Sequence, residues 1–508
     1  MRMLEIIVFI AALPPVFGLL TPERTPGVWS HVLPLLAALL ALAQLLFEGY
    51  RWQMLPAYSL IGFLVLYEAG LWVHSERASF YAGVGVLAVW VAAVVLSAAL
   101  PVFEFPRPTG PFQVGTEVRH LTDPHRRETL SSNPSDPREL MVQIWYPVDP
   151  SFRGTLAPYR SKEVTNWRTA QLALVKTNAY LSAPLASAQR SYPVLVFSPS
   201  WSGQRVQNTF QIQELASHGY IVVAMDHPYG TDITVFPDGR TVRTKLGVGE
   251  DYSSQEAFEH FVRQAEQQVK VRAEDARFVI DKLEEFNRQD PEGLLTGKLD
   301  LNRIGIFGHS LGGSVAAQAC WLDARFKAAL DMDGMVAGES AHEGSNCPIF
   351  FMMEDDVLPA KTALSSLSSR DRRIAEFGYE QAAMMEVSLN KSGGYRMVIQ
   401  GTTHRNFSDS PFFSPLKSLT GAGLIPTKRC ARIVNQYSLA FFDKTLEGQA
   451  EPLLESVSRE FPEARLEVWN ARTQVGSNGS QIDLAPVAME LNTHMNTAAL
   501  LTAPQGRR

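Results

Sequence analysis

Lysine is missing from the first 161 residues of this 508-residue chain, where the first to occur is Lys162. Residues 1–103 carry only nine charged side chains, four Arg and five Glu, whereas a soluble domain has about a quarter of its residues charged. So thin a charge excludes an ordinary solvated surface for that stretch. The other 405 residues hold 89 of the 98 charges, so the chain divides near Phe103. Cysteine is scarce as well. Cys320, Cys347 and Cys430 show no metal-ligand spacing and are too few for a disulfide framework, so they are expected as buried free thiols. A net charge of -6 and an isoelectric point near 6.0 leave no basic patch for nucleic acid. There is no internal repeat, which excludes solenoids and propellers.

What the first hundred residues do contain is apolar. Leu4–Leu20, Val32–Phe47, Ala57–Val73 and Phe80–Phe103 read as four transmembrane spans, the last long enough for a hydrocarbon core of ~30 Å. Pro14-Pro15 predicts a kink in the first, and Glu68 lies near the end of the third. Trp29, Tyr50, Trp52 and Trp72 stand near span ends, where aromatic belts form. No A-x-A-like site follows the first segment, so it is read as a span and not as a cleaved signal. Arg2, Arg51 and Arg107 on one side outnumber Arg24 and Arg77 on the other. That count leans the remainder of the chain towards the cytoplasm.

Pro106–Pro111 is a rigid linker. Beyond it, apolar strands alternate with helices, the pattern of a mostly parallel sheet with helices on both faces. Strands are expected at Leu140–Tyr146, Pro193–Ser198, Tyr220–Met225, Arg303–Phe307, Ala328–Met332, Pro348–Met353 and Arg396–Gln400. Helices are expected at Asn208–His218, Val269–Phe286, Ser314–Cys320 and Lys428–Leu446, several with apolar residues at steps of three and four. Residues 151–190 suit either a lid or a plain connection, and 471–508 read as a disordered tail. The expected organisation is a four-span region over 1–103, an α/β domain over 104–470, and that tail.

Chemistry concentrates at Gly308-His309-Ser310-Leu311-Gly312. A G-x-S-x-G between a buried strand and a helix is the context of a nucleophile elbow. The serine stands on a sharp turn, the glycines leave room for it, and the Leu311 N–H faces the position of an oxyanion. Such a serine needs a base and an orienting acid. In the chain order of an α/β-hydrolase both follow the serine. His404, in the loop Gly401–Phe407 after the last expected strand, is the base, with His342 second; His309 would flank the serine. For the acid, Asp333 follows one strand and Asp355 and Asp356 follow the next. Spacing does not choose between them.

The chain resembles the group II, plasma-type platelet-activating factor acetylhydrolases of the α/β-hydrolase superfamily. The likeness rests on Gly110–Gly115, Leu215–Val222, the elbow GHSLGG, Phe326 through Met332-Asp333-Gly334, and Gly401–Phe407, across about residues 108–450. It implies Ser310, Asp333 and His404 as a catalytic triad, with Asp333 the acid. It implies a bacterial, inner-membrane-anchored relative that cleaves short or oxidised sn-2 acyl chains from phospholipids. Pro199-Ser200-Trp201 departs from the His-Gly-Leu usual there, but the Trp201 N–H remains the expected second oxyanion donor beside that of Leu311. No metal or cofactor is required. The alternatives are a general short-chain carboxylesterase or polyester hydrolase, and, in another class, a non-catalytic binding module presented by the membrane.

Overall fold

A computed structural model of the chain describes residues 1–20, 28–69, 76–167, 169–247, 249–456 and 458–471. By contacts the chain separates into two units, 1–472 and 473–508. The expected tail therefore lies almost wholly outside the described residues.

Four helices fill the charge-poor start: α1 (Met3–Gly18), α2 (Val28–Phe47), α3 (Leu55–Glu68) and α4 (Glu76–Ala99). They bury Val8, Ala12, Leu60, Ile61 and Leu64 against one another. Arg51 pairs with Glu5 at 2.8 Å, both side chains fully buried. The expectation of four membrane spans is not supported. Among the described residues only Tyr81–Ala99 is long and apolar enough to cross a bilayer. The reason is length. At about 1.5 Å per residue, α1 and α3 reach only about 24 and 21 Å, short of a ~30 Å core. The apolar stretch Val32–Phe47 of α2 is similarly short.

The strands in chain order are β1 (Gln113–Arg127), β2 (Pro137–Val148), β3 (Leu156–Pro158), β4 (Lys176–Leu181), β5 (Tyr192–Ser198) and β6 (Ile221–Asp226). A small hairpin, β7 (Ile233–Val235) and β8 (Thr241–Arg243), stands apart. They are followed by β9 (Leu299–His309), β10 (Phe326–Met332), β11 (Ile349–Met353), β12 (Gly394–Ile399) and β13 (Ala464–Trp469). Eleven strands form one sheet in the order β13-β12-β11-β10-β9-β5-β6-β2-β1-β4-β3. Its centre, β12 to β6, is parallel throughout, and β2 and β13 join its two edges antiparallel. Parallel strands are covered on both faces, which is why β5 and β6 are buried at every residue. Along β5, Val194 and Val196 face α6 (Gln255–Arg288) and α7 (Leu311–Leu322). Leu195 and Phe197 face α5 (Thr209–Ser217) and the helix Thr427–Phe442. This is a mixed α/β architecture consistent with an α/β-hydrolase.

Three expectations change. Residues 151–190 extend the sheet, since β4 runs parallel to β1 and β3 antiparallel to β4. The expected helix at Val269–Phe286 begins much earlier, where the Ser254 hydroxyl accepts the Ala257 N–H at 3.0 Å. The third concerns cysteine. Cys320 and Cys347 are not free thiols but a disulfide, with Cα atoms 5.8 Å apart; Cys430 alone is free and buried. Adjacent placement of the end of α7 and the start of β11 makes that pair, a long-range proximity that spacing of 27 residues cannot reveal.

Candidate active site

β9 ends at His309 and α7 begins at Leu311, leaving Ser310 alone on the turn with φ 57° and ψ -129°. A non-glycine residue held there stores about 1–3 kcal/mol of backbone strain. The neighbours explain the two glycines. A Cβ at Gly308 would strike the Gly312 backbone, and one at Gly312 would strike the carbonyl of Ser198 at the end of β5. Only bare backbone lets β5, β9 and α7 meet this closely.

The Ser310 N–H donates to the Met332 carbonyl at 2.9 Å, which sets the turn beside the end of β10. The next residue is Asp333, also at positive φ (58°), its side chain 4% exposed. Its Oδ2 accepts from His404 Nδ1 at 2.6 Å and its Oδ1 from the Glu354 N–H at 2.8 Å. His404 opens a short turn, His404–Phe407, and its own N–H donates to Glu354 Oε2 at 2.7 Å. Burial alone would lower the His404 pKa, but the hydrogen bond and charge of Asp333 outweigh it and hold the imidazole above its ordinary value. Burial, with the nearby Asp333 charge, pushes Glu354 up to about 7. Ser310 is half-buried, and no hydrogen bond joins its Oγ to His404 among the described residues. Such contacts are often long before substrate binds.

Asp355 and Asp356 are exposed. Asp355 accepts the Gly401 N–H at 2.8 Å and so braces the loop ahead of His404 without touching the imidazole. His342 is exposed on the short helix Ser340–Glu343. Asp331 is fully buried and accepts the Gly334 N–H at 2.7 Å. Asp333, Glu354 and His404 offer ligand atoms within 4.8 Å of one another, a grouping that could hold a divalent ion. There, however, Asp333 Oδ2 and His404 Nδ1 are engaged with each other.

Several buried polar residues around this site carry no motif. His309 Nε2 lies 2.9 Å from the His404 carbonyl and its Nδ1 lies 2.6 Å from Gln207 Nε2. Gln207 Oε1 accepts the Ser200 N–H at 2.9 Å. One direction of donation satisfies every partner: Ser200 to Gln207, Gln207 to Nδ1, and Nε2–H to the carbonyl. Burial holds His309 well below its ordinary pKa, hence neutral, as that chain requires. Beneath the loop 199–201, Ser198 Oγ meets His227 Nε2 at 3.1 Å, and His227 Nδ1 meets Asp275 at 2.8 Å. This second Ser-His-Asp array is at most 1% exposed, and burial lowers His227 to about 4. Out of reach of any ester, it is a structural clamp. The Asp275 partners Arg126 and Arg138 enclose it further. Long-range polar contacts of this kind leave no periodicity or spacing to read. The one available signal was polar residues on the sheet-facing side of α6. A cavity of about 710 Å³ borders the same loop at Gln204–Val206 and contains Arg160, but none of Ser310, Asp333 and His404 lines it.

Comparison with known proteins bears on this geometry. The family model described as platelet-activating factor acetylhydrolase, isoform II, matches residues 98–456. A probable 1-alkyl-2-acetylglycerophosphocholine esterase of Arthroderma benhamiae is 25% identical, over 74% of this chain and 97% of its own. The platelet-activating factor acetylhydrolase of Cavia porcellus is 23% identical, over 77% and 88%. Among solved structures, a ferulic acid esterase from Streptomyces cinnamoneus superposes with a TM-score of 0.58 at 29% identity, covering 72% of this chain and 99% of that one.

Proposed function

From the premise that the chain belongs to the platelet-activating factor acetylhydrolase, isoform II, family and is a carboxylic ester hydrolase, we propose that it works by a Ser310–His404–Asp333 triad on short or oxidised sn-2 acyl chains of phospholipids. The observation that carries the reading is the 2.6 Å contact of His404 Nδ1 with buried Asp333, set beside a serine on a strained strand-to-helix turn.

Asp333 accepts from Nδ1–H, so the lone pair of His404 is on Nε2, the atom that can serve the serine. Ser310 Oγ attacks the ester carbonyl while Nε2 takes its proton. The N–H groups of Leu311 and Trp201 receive the oxyanion. Collapse breaks the ester C–O bond, and Nε2–H protonates the departing lysophospholipid alkoxide. Water, deprotonated by Nε2, then releases the acid from acyl-Ser310 and returns the proton to the serine. The acid Asp333 is favoured over Asp355 and Asp356 because its carboxylate is shielded, and a shielded charge holds an imidazolium more strongly.

The apolar outer face of the N-terminal helices, with Ile10, Phe17, Leu39, Leu46 and Val95 exposed, supports anchoring in a bilayer, at least through Tyr81–Ala99. The Cys320–Cys347 bond supports a catalytic region on the oxidising side. The resemblance to a ferulic acid esterase favours a second reading, hydrolysis of small carboxylic esters without a phospholipid headgroup. A panel of sn-2 acetyl, glutaroyl and palmitoyl phosphatidylcholines beside p-nitrophenyl acetate and methyl ferulate separates the two. The proposal expects kcat/KM to be highest for acetyl and glutaroyl lipids and to fall steeply for palmitoyl. Turnover of the simple esters with none of the lipids would select the second reading.

A further inference from the structure

Arg272, on the buried face of α6, is fully buried, yet no carboxylate among the described residues pairs with its guanidinium. Its Nη donors go to backbone, and its buried Nε–H has no partner among the described residues. Nη1 donates to the carbonyls of Pro199 at 3.2 Å and Ser200 at 2.9 Å. Nη2 donates to those of Trp201 at 2.6 Å and Gly230 at 3.4 Å. Three successive peptides of the loop after β5 thus turn their oxygens to one side chain. The Asp275 charge acts on it without a direct contact, so the contacts that hold the guanidinium in place are those to backbone. Burial lowers its pKa to about 9, still cationic at neutral pH.

The consequence follows from the planar trans peptide, in which C=O and N–H point in opposite directions. Held with its oxygens on Arg272, the loop must present its N–H groups away from α6. The Ser200 N–H finds Gln207 Oε1. Those of Trp201 and Ser202 have no acceptor among the described residues. A free backbone N–H on an ordered loop is what an oxyanion donor requires, and it must be oriented before the charge develops. We propose that Arg272 is a positioning residue for ester hydrolysis: through the carbonyls of Pro199, Ser200 and Trp201 it locks the loop so that the Trp201 N–H is aimed at the oxyanion on the Ser310 adduct. Arg272 does not touch substrate. This inference rests on Ser310 and Trp201 in the roles given above.

The test uses the full chain with Arg272→Gln and Arg272→Lys, and Arg119→Gln as a control that removes another buried arginine, one bound to Asp290 and Glu117. Each is assayed with p-nitrophenyl acetate and with a trifluoromethyl ketone, whose hemiketal on Ser310 carries an oxyanion. Deleting one oxyanion donor costs about 10²–10³-fold in kcat, so misaiming it in Arg272→Gln is expected to cost about 10–10²-fold. KM should stay within about threefold, and the inhibition constant of the ketone should rise by the factor lost in kcat/KM. Arg272→Lys should fall between, while Arg119→Gln lowers the melting temperature without moving kcat or the ketone constant. A merely structural role would reproduce the control pattern, and a folded Arg272→Gln that kept kcat within twofold, or lost kcat with no weaker ketone binding, would overturn the proposal. If Arg272→Gln does not fold, Arg272→Lys decides by the same two ratios. Fluorophosphonate labelling of the unmutated chain keeps the failures apart: no adduct on Ser310 sinks the triad, whereas labelling with unaffected Arg272 variants sinks only the clamp.

Discussion

Replacing Asp333 by asparagine leaves its size almost unchanged and removes one acceptor. Asp333 now accepts two hydrogen bonds, from His404 Nδ1 and from the Glu354 N–H, both donors on fixed backbone or ring. An amide has one oxygen, so it cannot accept both. With its oxygen on His404, its NH2 faces the Glu354 N–H. Flipped, its NH2 faces Nδ1, which must then accept, and the proton moves to Nε2, where it disables the base. The second arrangement satisfies every group and is the one expected. Trapping the wrong tautomer costs about 10³–10⁴-fold in kcat, about 4 to 5.5 kcal/mol of transition-state stabilisation. The pH profile supplies an independent reading. His404 is a base only when neutral, so the rate rises as pH rises through its pKa, which Asp333 holds above the ordinary 6.5. The residual activity of Asp333→Asn should therefore climb at lower pH than that of the unmutated enzyme. The assay is kcat/KM for p-nitrophenyl acetate from acid to mildly alkaline pH, with Asp355→Asn and Asp356→Asn in parallel, each within about tenfold of wild type. A loss under tenfold in Asp333→Asn, or a dead Asp355→Asn or Asp356→Asn variant beside it, would refute the reasoning and move the acid to the turn after β11.

Two further outcomes are expected. Opening the Cys320–Cys347 loop with Cys347→Ser should cost about 3.5 kcal/mol, from the chain entropy of a 27-residue separation; an unchanged denaturation midpoint with and without reductant would contradict a formed bond. The full chain should stay with membranes through high salt and carbonate, since an apolar helix such as Tyr81–Ala99 does not depend on screened charge. A chain beginning at Arg107 should be soluble and hydrolyse dispersed esters, and release of the full chain by carbonate would remove the anchor.

The central sheet was legible because its strands are short apolar runs between turn signals. Tyr192–Ser198, Ile221–Asp226 and Ile349–Met353 fall within a residue or so of their expected bounds. The edges were not. β1 carries Glu117, Arg119, His120 and Asp123 along its length, and β13 has Arg465 and Glu467, so neither reads as a buried run. The helix Ser369–Ser392 hid behind a weak apolar stripe, burying little beyond Ala375, Met385 and Leu389. Within the site, Ser310 announces itself by two glycines and His404 by its place in the order after it, whereas order leaves Asp333, Asp355 and Asp356 open as the acid and only the family resemblance points to Asp333. Glu354 stands in a run of three acids, Glu354-Asp355-Asp356, whose composition suits a solvated turn. Its neighbours are exposed, but its own carboxylate turns inward to the His404 N–H. Arg272, Gln207 and His227 act through contacts 29 to 102 residues away in the chain, and composition carries no trace of those.

The claim that Ser310 forms a covalent acyl-enzyme is tested most directly by acid-quenching the protein during turnover of an sn-2 acetyl phosphatidylcholine and mapping its peptides by mass spectrometry. The account predicts an acetyl group on the peptide containing Ser310, accumulating in His404→Ala only marginally and absent in Ser310→Ala, which should lose at least about 10⁴-fold in rate. Acetylation of any other residue with Ser310 unmodified, or sustained turnover by Ser310→Ala, would contradict it.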